Sequence, residues 1–408
     1  MSASKMVAPA AGEPAEPPGA IGVGIDFGTT YSSVVFIHSD KKRVVSVQYP
    51  NQLHYVERGQ APSVVTAYDL RTAPNIENPP SSQSQHPNWG FSAPATHQIF
   101  ELFKLSLMPQ QHLSDRFWRS PSVAKARNTL RARRVTAEEA TEVFLRELWD
   151  FSLGEAAREF GMSVGQMRAA PLLVAMGIPA NWSRDTVTAL REAANNAGIS
   201  GSHAHPAISF LPETEADLIS FIADKAISTD FEVSPLFSAH SPLHTLKTYG
   251  PVSDNPQDGD IIGICDVGGG TIVSLLIAPG GWVPTNTQLQ DTGTYMYMHE
   301  ASTTAATPMF QECVAGDSQL AGTILLDDTF FTQVETKLRY QTTEKVRSLI
   351  TRESIVQHFS EPWHSNLKRQ FNGTGGFSIL VPGFFMTWNQ RKERRGPNYN
   401  PPRVSFTQ

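Results

Sequence analysis

Two short segments of the chain combine an aspartate with glycine and threonine residues in a pattern that suits a phosphate group. The first is Asp26–Thr30 and the second is Asp266–Thr271, and their aspartates lie 240 positions apart. Glycines let a backbone turn approach a phosphate and aim its N–H groups at the oxygens, while threonine hydroxyls add donors. Because a carboxylate would repel a phosphate, we expect Asp26 and Asp266 to hold Mg²⁺ or its water ligands. Two such segments that face each other would grip a polyphosphate.

Each segment lies between two apolar runs, which predicts a β-hairpin with the acid at its mouth. The first hairpin has the predicted strands Ile21–Asp26 and Tyr31–Ile37, and the second has Ile261–Asp266 and Ile272–Ile277. A single Asp-x-Gly turn is a weak signal, since it occurs in many β-turns. Two copies in matching strand contexts indicate a duplicated α/β lobe.

Further elements are predicted near the first hairpin. Thr136–Glu139 has the spacing of a capping box, and the apolar residues after it recur at helical spacing, which predicts a long amphipathic helix. Leu172–Ile178 is a predicted buried strand that ends at Pro179. Ser183 is then the predicted cap of a helix that stops at Gly198.

The chain divides by composition into four predicted regions. Residues 1–20, rich in proline and alanine, form a predicted flexible leader, and residues 386–408 form a polar tail. Residues 21–240 form the first lobe and residues 241–385 a partial second lobe. The boundary between the lobes is placed in a connector rich in serine, proline and histidine that begins at Ser228.

Five motifs of the sequence, taken in order, resemble those of the seventy-kilodalton heat-shock chaperones, the heat shock protein 70 family. They extend from about residue 21 to about residue 331, with a weaker similarity to about residue 383. The two hairpin segments are similar to the two phosphate loops of that family. The matching segments are Ile25–Ser32, Ile178–Ala180, Glu213–Ala216, Cys265–Thr271 and Gly316–Gly322.

The resemblance implies an actin-like ATPase fold, which is ribonuclease H-like, with duplicated α/β lobes around a nucleotide cleft and an incomplete second lobe. It implies that ATP or ADP binds with Mg²⁺ and that Asp26 and Asp266 organise the metal for catalysis. Lys104 would touch the attacking water and the γ-phosphate, and Glu213 would help to position that water. The residues implied to cradle the phosphates are Gly28, Thr29, Thr30, Tyr31, Gly268, Gly269, Gly270 and Thr271.

The residues themselves leave other interpretations open for the two charged side chains. Lys104 is also compatible with a surface lysine that lays its stem along apolar neighbours. Glu213 is also compatible with an acid at the N-terminus of a helix, where the helix dipole favours negative charge.

The sequence departs from the family pattern in three places. Val273 stands where the family has a further aspartate, so we expect ATP hydrolysis to be weak or absent. Lys368 and Arg369 resemble the basic pair that flanks the adenosine, but Ser365 replaces the acid of that pattern, and a solvated helix face would also explain the two cations. After Pro382 we expect neither the segment that closes the adenosine pocket nor a peptide-binding domain.

Composition argues against several classes of partner. The net charge of −6 builds no basic field for nucleic acid or an anionic membrane surface. No window approaches the ~18 apolar residues of a membrane span. The two cysteines cannot form a disulfide framework for 408 residues, so we expect a reducing, cytoplasmic location. The expected partners are a nucleotide and co-chaperones or other proteins.

Three functions therefore remain open from the sequence. The first is the ATP-binding module of a heat-shock-70-type chaperone in the stress response, which is an ATPase if it is active at all. The second is a non-catalytic pseudo-ATPase that serves as an interaction module and no longer binds nucleotide. The third is a small-molecule kinase of the same superfamily, in which a phosphoryl acceptor binds beside the nucleotide.

Overall fold

The computed structural model describes a large part of the chain, in two compact units. The described residues are 19–40, 43–54, 56, 58–66, 88–93, 99–180, 182–199, 208–217, 262–267, 272–279, 297–299, 311–312, 317–319, 322–368, 376–386 and 402–406, with the backbone alone between 262 and 319. The first unit lies within residues 1–50, 59–109 and 129–231, and the second within residues 51–58, 110–128 and 232–408. The predicted lobe boundary at residue 240 and most of the predicted leader lie outside the described residues and stay predictions.

The first unit is built on a mixed, six-stranded sheet. Its strands are β1 (Ile21–Phe27), β2 (Tyr31–His38), β3 (Arg43–Ser46) and β4 (Ala61–Pro62), followed after β5 (Val64–Thr66) and β6 (Ile99–Glu101) by β7 (Leu172–Ile178) and β8 (Ser209–Pro212). The order is β3-β2-β1-β7-β8 with β4 against β2, and β5 and β6 pair separately. β1 is antiparallel to β2 and parallel to β7, which is parallel to β8. The carboxyl ends of β1, β7 and β8 therefore lie at one edge.

Among the described residues, six α-helices precede β8. They are α1 (Phe103–Ser106), α2 (Asp115–Trp118), α3 (Pro121–Arg133), α4 (Ala137–Phe160), α5 (Val164–Ala169) and α6 (Arg184–Asn196). The predicted capping box is confirmed, since the Thr136 side chain accepts from the Glu139 amide and the Glu139 carboxylate accepts from the Thr136 amide. Ser183 caps α6 as predicted, by accepting from the Thr186 amide. Local sequence signals thus predicted the N-termini of these two helices correctly.

Aromatic side chains join α4 to the sheet. Phe144 of α4 lies 6.0 Å, between ring centroids, from Phe27 at the end of β1, and Trp149 lies 6.2 Å from Phe36 of β2. All four rings are buried. Since burial of one such side chain contributes roughly 1.5–3 kcal/mol, this cluster fixes the end of β1 against the long helix.

The second unit contains the second hairpin and a helical layer. Its strands are β9 (Ile262–Val267), β10 (Ile272–Pro279), β11 (Tyr297–His299), β12 (Gln311–Glu312), β13 (Asp317–Gln319), β14 (Phe377–Leu380) and β15 (Arg403–Phe406). Its later helices are α7 (Thr323–Gln341), α8 (Glu344–Arg347) and α9 (Arg352–Pro362), which continues as the π-helical turn Trp363–Leu367. β10 pairs with β9, β11, β12 and β13, and β14 pairs with β15.

An aromatic core and one buried acid hold the helical layer together. Phe330 of α7 stacks on Trp363 with ring centroids 4.0 Å apart and planes at 6°. The buried carboxylate of Asp328 accepts from the Ser122 amide at 3.1 Å, from the Ser122 hydroxyl at 2.6 Å and from the Arg352 guanidinium. A buried carboxylate requires such partners, and this network ties the start of α3 to α7 and α9.

The predicted fold class is confirmed at its coarse level. Each unit combines helices with a sheet, and the first sheet contains both parallel and antiparallel neighbours. The chain therefore has a mixed α/β structure.

Candidate phosphate-binding site

The turn of the first hairpin has room for glycine alone at position 28. A Cβ atom on Gly28 would lie 2.0 Å from the carbonyl oxygen of Tyr31. Ser63 fixes the same turn from outside, because its hydroxyl donates to the Gly28 carbonyl at 2.8 Å and its amide donates to the Thr30 carbonyl at 2.8 Å. The Ser63 hydroxyl also lies 2.8 Å from that of Ser32. The turn is thus rigid before any ligand arrives.

The other residues predicted in the first phosphate loop line this turn. Asp26 lies near the carboxyl end of β1 with an exposed side chain, and its backbone pairs with Ser33. Thr29 is buried, while Thr30 and Tyr31 are partly buried. Asp26, Gly28 and the two threonines thus lie next to one another at the first hairpin, and their role in binding a phosphate stays a prediction.

Lys104 and Glu213, which the resemblance singled out separately, form an ion pair. The Lys104 ammonium donates to Oε1 of Glu213 at 2.8 Å across 109 positions of sequence. The Lys104 side chain is 5% exposed and that of Glu213 is 16% exposed. Because an unpaired charge is costly to bury, each of the two groups needs the other.

The main-chain course around each residue explains how the pair forms. α1 begins after Leu102, which adopts the left-handed conformation with φ of 56° and turns the chain so that Lys104 is buried. Glu213 follows directly on β8, at the start of the helical stretch 213–217. It therefore lies at the carboxyl edge of β1, β7 and β8, which is the edge where open α/β sheets bind ligands.

Two aromatic rings and a glycine complete the surroundings of the pair. The Lys104 ammonium lies 5.6 Å from the ring centroid of Phe27 and 5.4 Å from that of Trp182, both within cation–π range. A Cβ atom on Gly177 would approach Cγ of Glu213 to 3.3 Å, so the glycine leaves space for the glutamate. The indole N–H of Trp182 is buried and has no acceptor among the described residues. We call Lys104, Glu213, Phe27, Trp182 and Gly177 the lysine cluster.

Sequence reasoning missed several residues of this site. Trp182 lies two positions after a motif that was recognised, and Gly177 is a glycine inside a buried strand, which is a signal for close approach of another group. No signal in the sequence could have identified Ser63, because its contacts to Gly28 and Ser32 span 35 and 31 positions.

A second acid follows Glu213 at the same edge. Glu215 is half-buried, and desolvation raises the pKa of its carboxyl above the ordinary value. Thr214, between the two glutamates, is buried. The segment after β8 thus presents two acids in different surroundings, one paired with a lysine and one partly desolvated.

The second hairpin repeats the first in its backbone pairing. Asp266 pairs with Val273 as Asp26 pairs with Ser33, so each aspartate faces the residue seven positions further on. The predicted loop residues Gly268, Gly269, Gly270 and Thr271 lie outside the described residues. Their role, that of the Asp266 carboxylate and the predicted convergence of the two turns stay predictions.

The Lys368 ammonium, predicted to flank an adenosine, contacts an acid of its own unit. It lies 2.8 Å from Oδ1 and 3.0 Å from Oδ2 of Asp327, whose Oδ1 also accepts from the Trp363 indole at 2.7 Å. The Lys368 and Asp327 side chains are 20% and 21% exposed. Arg369 lies outside the described residues.

Among the described side chains, no group of three or more histidines, cysteines, aspartates and glutamates is placed to hold a metal ion. Within the same part of the chain, no helix is both long and apolar enough to cross a membrane.

Comparison with known proteins adds no relative. The chain matches no protein-family model, and no curated protein matches its sequence. The first unit nevertheless has a glycine turn and a buried lysine at the carboxyl edge of its sheet, which suit an oxyanion, and beside them an exposed carboxylate, which suits a metal ion.

Proposed function

We propose that the chain is the ATP-binding, actin-like module of a heat-shock-70-type chaperone, with weak or absent ATP hydrolysis. The observation that carries the proposal is the ion pair of Lys104 and Glu213. The resemblance implied a role for each of them separately, Glu213 through the motif Glu213–Ala216 and Lys104 by its similarity to a lysine of the family, and they meet at the carboxyl edge of the sheet. Lys104 also contacts Phe27, which precedes the glycine of the first predicted phosphate loop.

The sheet of the first unit supports the finer fold assignment. An antiparallel meander of β3, β2 and β1 is followed by β7 and β8, both parallel to β1 in direction. This order is compatible with a ribonuclease H-like lobe, which the actin-like assignment requires. The repeated register of the second hairpin is compatible with a second lobe of the same origin.

Each residue of the site has a task in this proposal. The backbone of the turn at Gly28 lies close to the phosphates, and the hydroxyls of Thr29 and Thr30 add donors. Lys104 supplies positive charge to the terminal phosphate. Mg²⁺, which takes oxygen ligands and often only one or two carboxylates besides the phosphates, would be held by Asp26 and Asp266 and would neutralise phosphate charge.

The residue opposite Asp266 is the reason to expect little hydrolysis. Strands β9 and β10 pair so that Asp266 lies opposite Val273. At the position of Val273 the family has an aspartate. A valine side chain binds neither a metal ion nor a water molecule, so the shell around the reacting water would lose one ligand. Nucleotide binding depends less on this position than hydrolysis does.

Calorimetric titration with Mg-ATP and Mg-ADP tests the proposal. We expect the wild-type protein to bind both and the variant Asp26→Ala to lose binding. Asp40→Ala is the matched control, because Asp40 is an exposed aspartate at the opposite end of the same hairpin. Gly268→Val tests the second loop in the same way. Absence of binding by the wild-type protein at millimolar nucleotide would refute the proposal.

A second candidate function is an interaction module that has lost nucleotide binding. It is favoured by the contact between Lys368 and Asp327, because the ammonium assigned to the adenosine is already neutralised. Under this alternative the titration gives no heat with either nucleotide, and the variants at Asp26 and Gly268 change nothing.

A further inference from the structure

The buried ammonium of Lys104 already has an anionic partner before any ligand binds. The Glu213 carboxylate accepts from it at 2.8 Å, and only 5% of the lysine side chain is exposed. A phosphate that is to contact this ammonium must therefore take the place of the carboxylate or share the lysine with it. A lysine has three N–H donors but one positive charge, so two anions compete for the charge.

We infer that Glu213 is a displaceable counter-ion of Lys104, so that the terminal phosphate of a bound nucleotide replaces the Glu213 carboxylate at the ammonium. This inference rests on the proposed nucleotide binding and adds a residue that determines specificity. Glu213 would reduce the affinity for ligands that place a phosphate at Lys104, because the phosphate must displace the carboxylate, and it would leave the affinity for ligands without that phosphate nearly unchanged.

Of the two partners, the glutamate is the one that is free to move. Lys104 is nearly fully buried and lies against the rings of Phe27 and Trp182, which hold the ammonium in place whichever anion it contacts. Glu213 is more exposed, and beneath it lies Gly177, which has no side chain to clamp it. The carboxylate can therefore turn toward solvent while the ammonium stays.

One other polar group of the lysine cluster has no hydrogen-bond partner among the described residues. The indole N–H of Trp182 is buried and has no acceptor among the described residues. Buried donors in native proteins nearly always have an acceptor. A ligand oxygen that enters beside Lys104 would bring an acceptor into the neighbourhood of this donor, which makes the exchange of anions more favourable.

The test compares Mg-ATP and Mg-ADP binding to the wild-type protein and to Glu213→Gln by calorimetry. The glutamine keeps the size and an acceptor oxygen for the lysine but removes the competing charge. We expect Mg-ATP to bind about tenfold more tightly to the variant, and Mg-ADP to change by less than about twofold. Glu215→Gln, which removes a charge two residues away, is the matched control and should bind as the wild type does.

Two further variants test whether the gain in affinity depends on the charge of Lys104 and on the position of the Glu213 carboxylate. Combining Lys104→Met with Glu213→Gln should abolish the gain, because the gain depends on the ammonium. If Glu213→Gln does not fold, Gly177→Ala replaces it, since a Cβ 3.3 Å from Cγ of Glu213 pushes the carboxylate aside without changing the charge. That variant should bind Mg-ATP about twofold to threefold more tightly.

The outcomes separate this inference from the proposed function. Wild-type binding that Glu213→Gln weakens or leaves unchanged overturns the inference alone, and an equal gain for Mg-ADP overturns the assignment of the terminal phosphate. No binding by any variant overturns the proposed function and the inference together.

Discussion

The two hairpins share one backbone register but stand in different surroundings. In both, the aspartate pairs with the residue seven positions further on. β1 of the first hairpin has a parallel neighbour, β7, on its other side. Among the described strands, β9 of the second hairpin pairs with β10 alone.

This difference shows where the charged groups of the site come from. The parallel strands β7 and β8 carry the chain to Gly177 and Glu213, and so bring the lysine cluster to the end of β1. The hairpin supplies the turn and the Asp26 carboxylate, whereas Glu213 follows β8 and Lys104 lies on α1. The repeated hairpin is therefore not evidence that the two hairpins contribute equally to a binding site. We expect residues of the first unit to supply most of the binding free energy of a ligand.

Substitution of the turn glycines should give the largest effect and tests whether the two turns are alike. Gly28→Ala should cost about 3 kcal/mol or more of unfolding free energy, because its Cβ would lie 2.0 Å from a carbonyl oxygen of the rigid turn. If the two turns are alike, Gly268→Ala should be similarly costly, because β9 and β10 pair in the same register as β1 and β2. Urea denaturation followed by circular dichroism measures both.

Gly24→Ala is the control for this comparison. Gly24 lies on β1, and a Cβ there meets no atom within 4 Å. We expect a change within about 0.5 kcal/mol. A cost for Gly268→Ala as small as that of the control would show that the two turns differ in geometry despite the shared register.

The two lysine–acid pairs, one in each unit, should differ in their contribution to stability. Glu213→Ala should cost about 3 kcal/mol, because it leaves the nearly inaccessible ammonium of Lys104 unpaired. Asp327→Ala should cost about 1–2 kcal/mol, because Lys368 is 20% exposed and solvent can hydrate it. Denaturant titration of each variant at low and high salt provides the measurement. Equal costs would contradict the idea that burial separates the two pairs.

The sequence predicted those parts of the site that depend on local signals. Both hairpins, the strand β7 and the capped helices α4 and α6 follow from apolar periodicity and from capping residues close in sequence. Glu213 was singled out through its motif, Glu213–Ala216, and Lys104 by its similarity to a lysine of the family. Their contact with each other was not predicted, because apolar periodicity carries no information on which distant loops meet.

The parts that the sequence did not predict are all tertiary contacts of polar groups. Ser63 was not distinguishable from any other serine, although it fixes the turn of the first hairpin. Asp327 gave no sign that it neutralises Lys368, 41 positions away. Such pairs depend on how helices and strands pack, and residue types alone are compatible with many partners.

A carboxylate at position 273 would make the second hairpin more like its family pattern. In Val273→Asp the new acid faces Asp266 across the ladder, and two like charges directly opposite each other destabilise a sheet by about 0.2–1 kcal/mol. If the hairpin binds a metal–nucleotide complex, Mg-ATP should remove this penalty and phosphate release should rise about tenfold, equivalent to about 1.4 kcal/mol.

Thermal unfolding with and without Mg-ATP, together with a phosphate-release assay, measures both effects of Val273→Asp. The variant Val273→Asn is the control, because it has the same shape without the charge. If Mg-ATP does not raise the melting temperature of Val273→Asp, the second hairpin takes no part in nucleotide binding.

The smallest expected effects come from two glutamates whose pKa values are shifted in opposite directions in the two units. Burial raises the pKa of Glu215, so the folded protein favours its neutral form. The pKa of Glu353 is lowered by hydrogen bonds from its own amide and from the Thr351 side chain, and by the charges of Lys125 and Arg352. The two carboxyls should therefore affect stability with opposite signs as pH changes.

The pH dependence of the two glutamine variants tests that opposition. Glu215 contributes to the free energy of unfolding below its unfolded-state pKa of about 4.3, and this contribution is lost as pH rises through its raised folded pKa. Glu215→Gln should therefore be more stable than the wild type at neutral pH and equally stable in acid. The contribution of Glu353 is present above about 4.3 and is lost as pH falls through its lowered folded pKa. Glu353→Gln should therefore be less stable at neutral pH.

Differences below about 1 kcal/mol are expected for Glu215, and denaturation midpoints between pH 3 and pH 8 would reveal them. If the stabilities of the two variants, relative to the wild type, change with pH in the same direction, the surroundings of Glu215 and Glu353 do not differ in the way that the structure indicates.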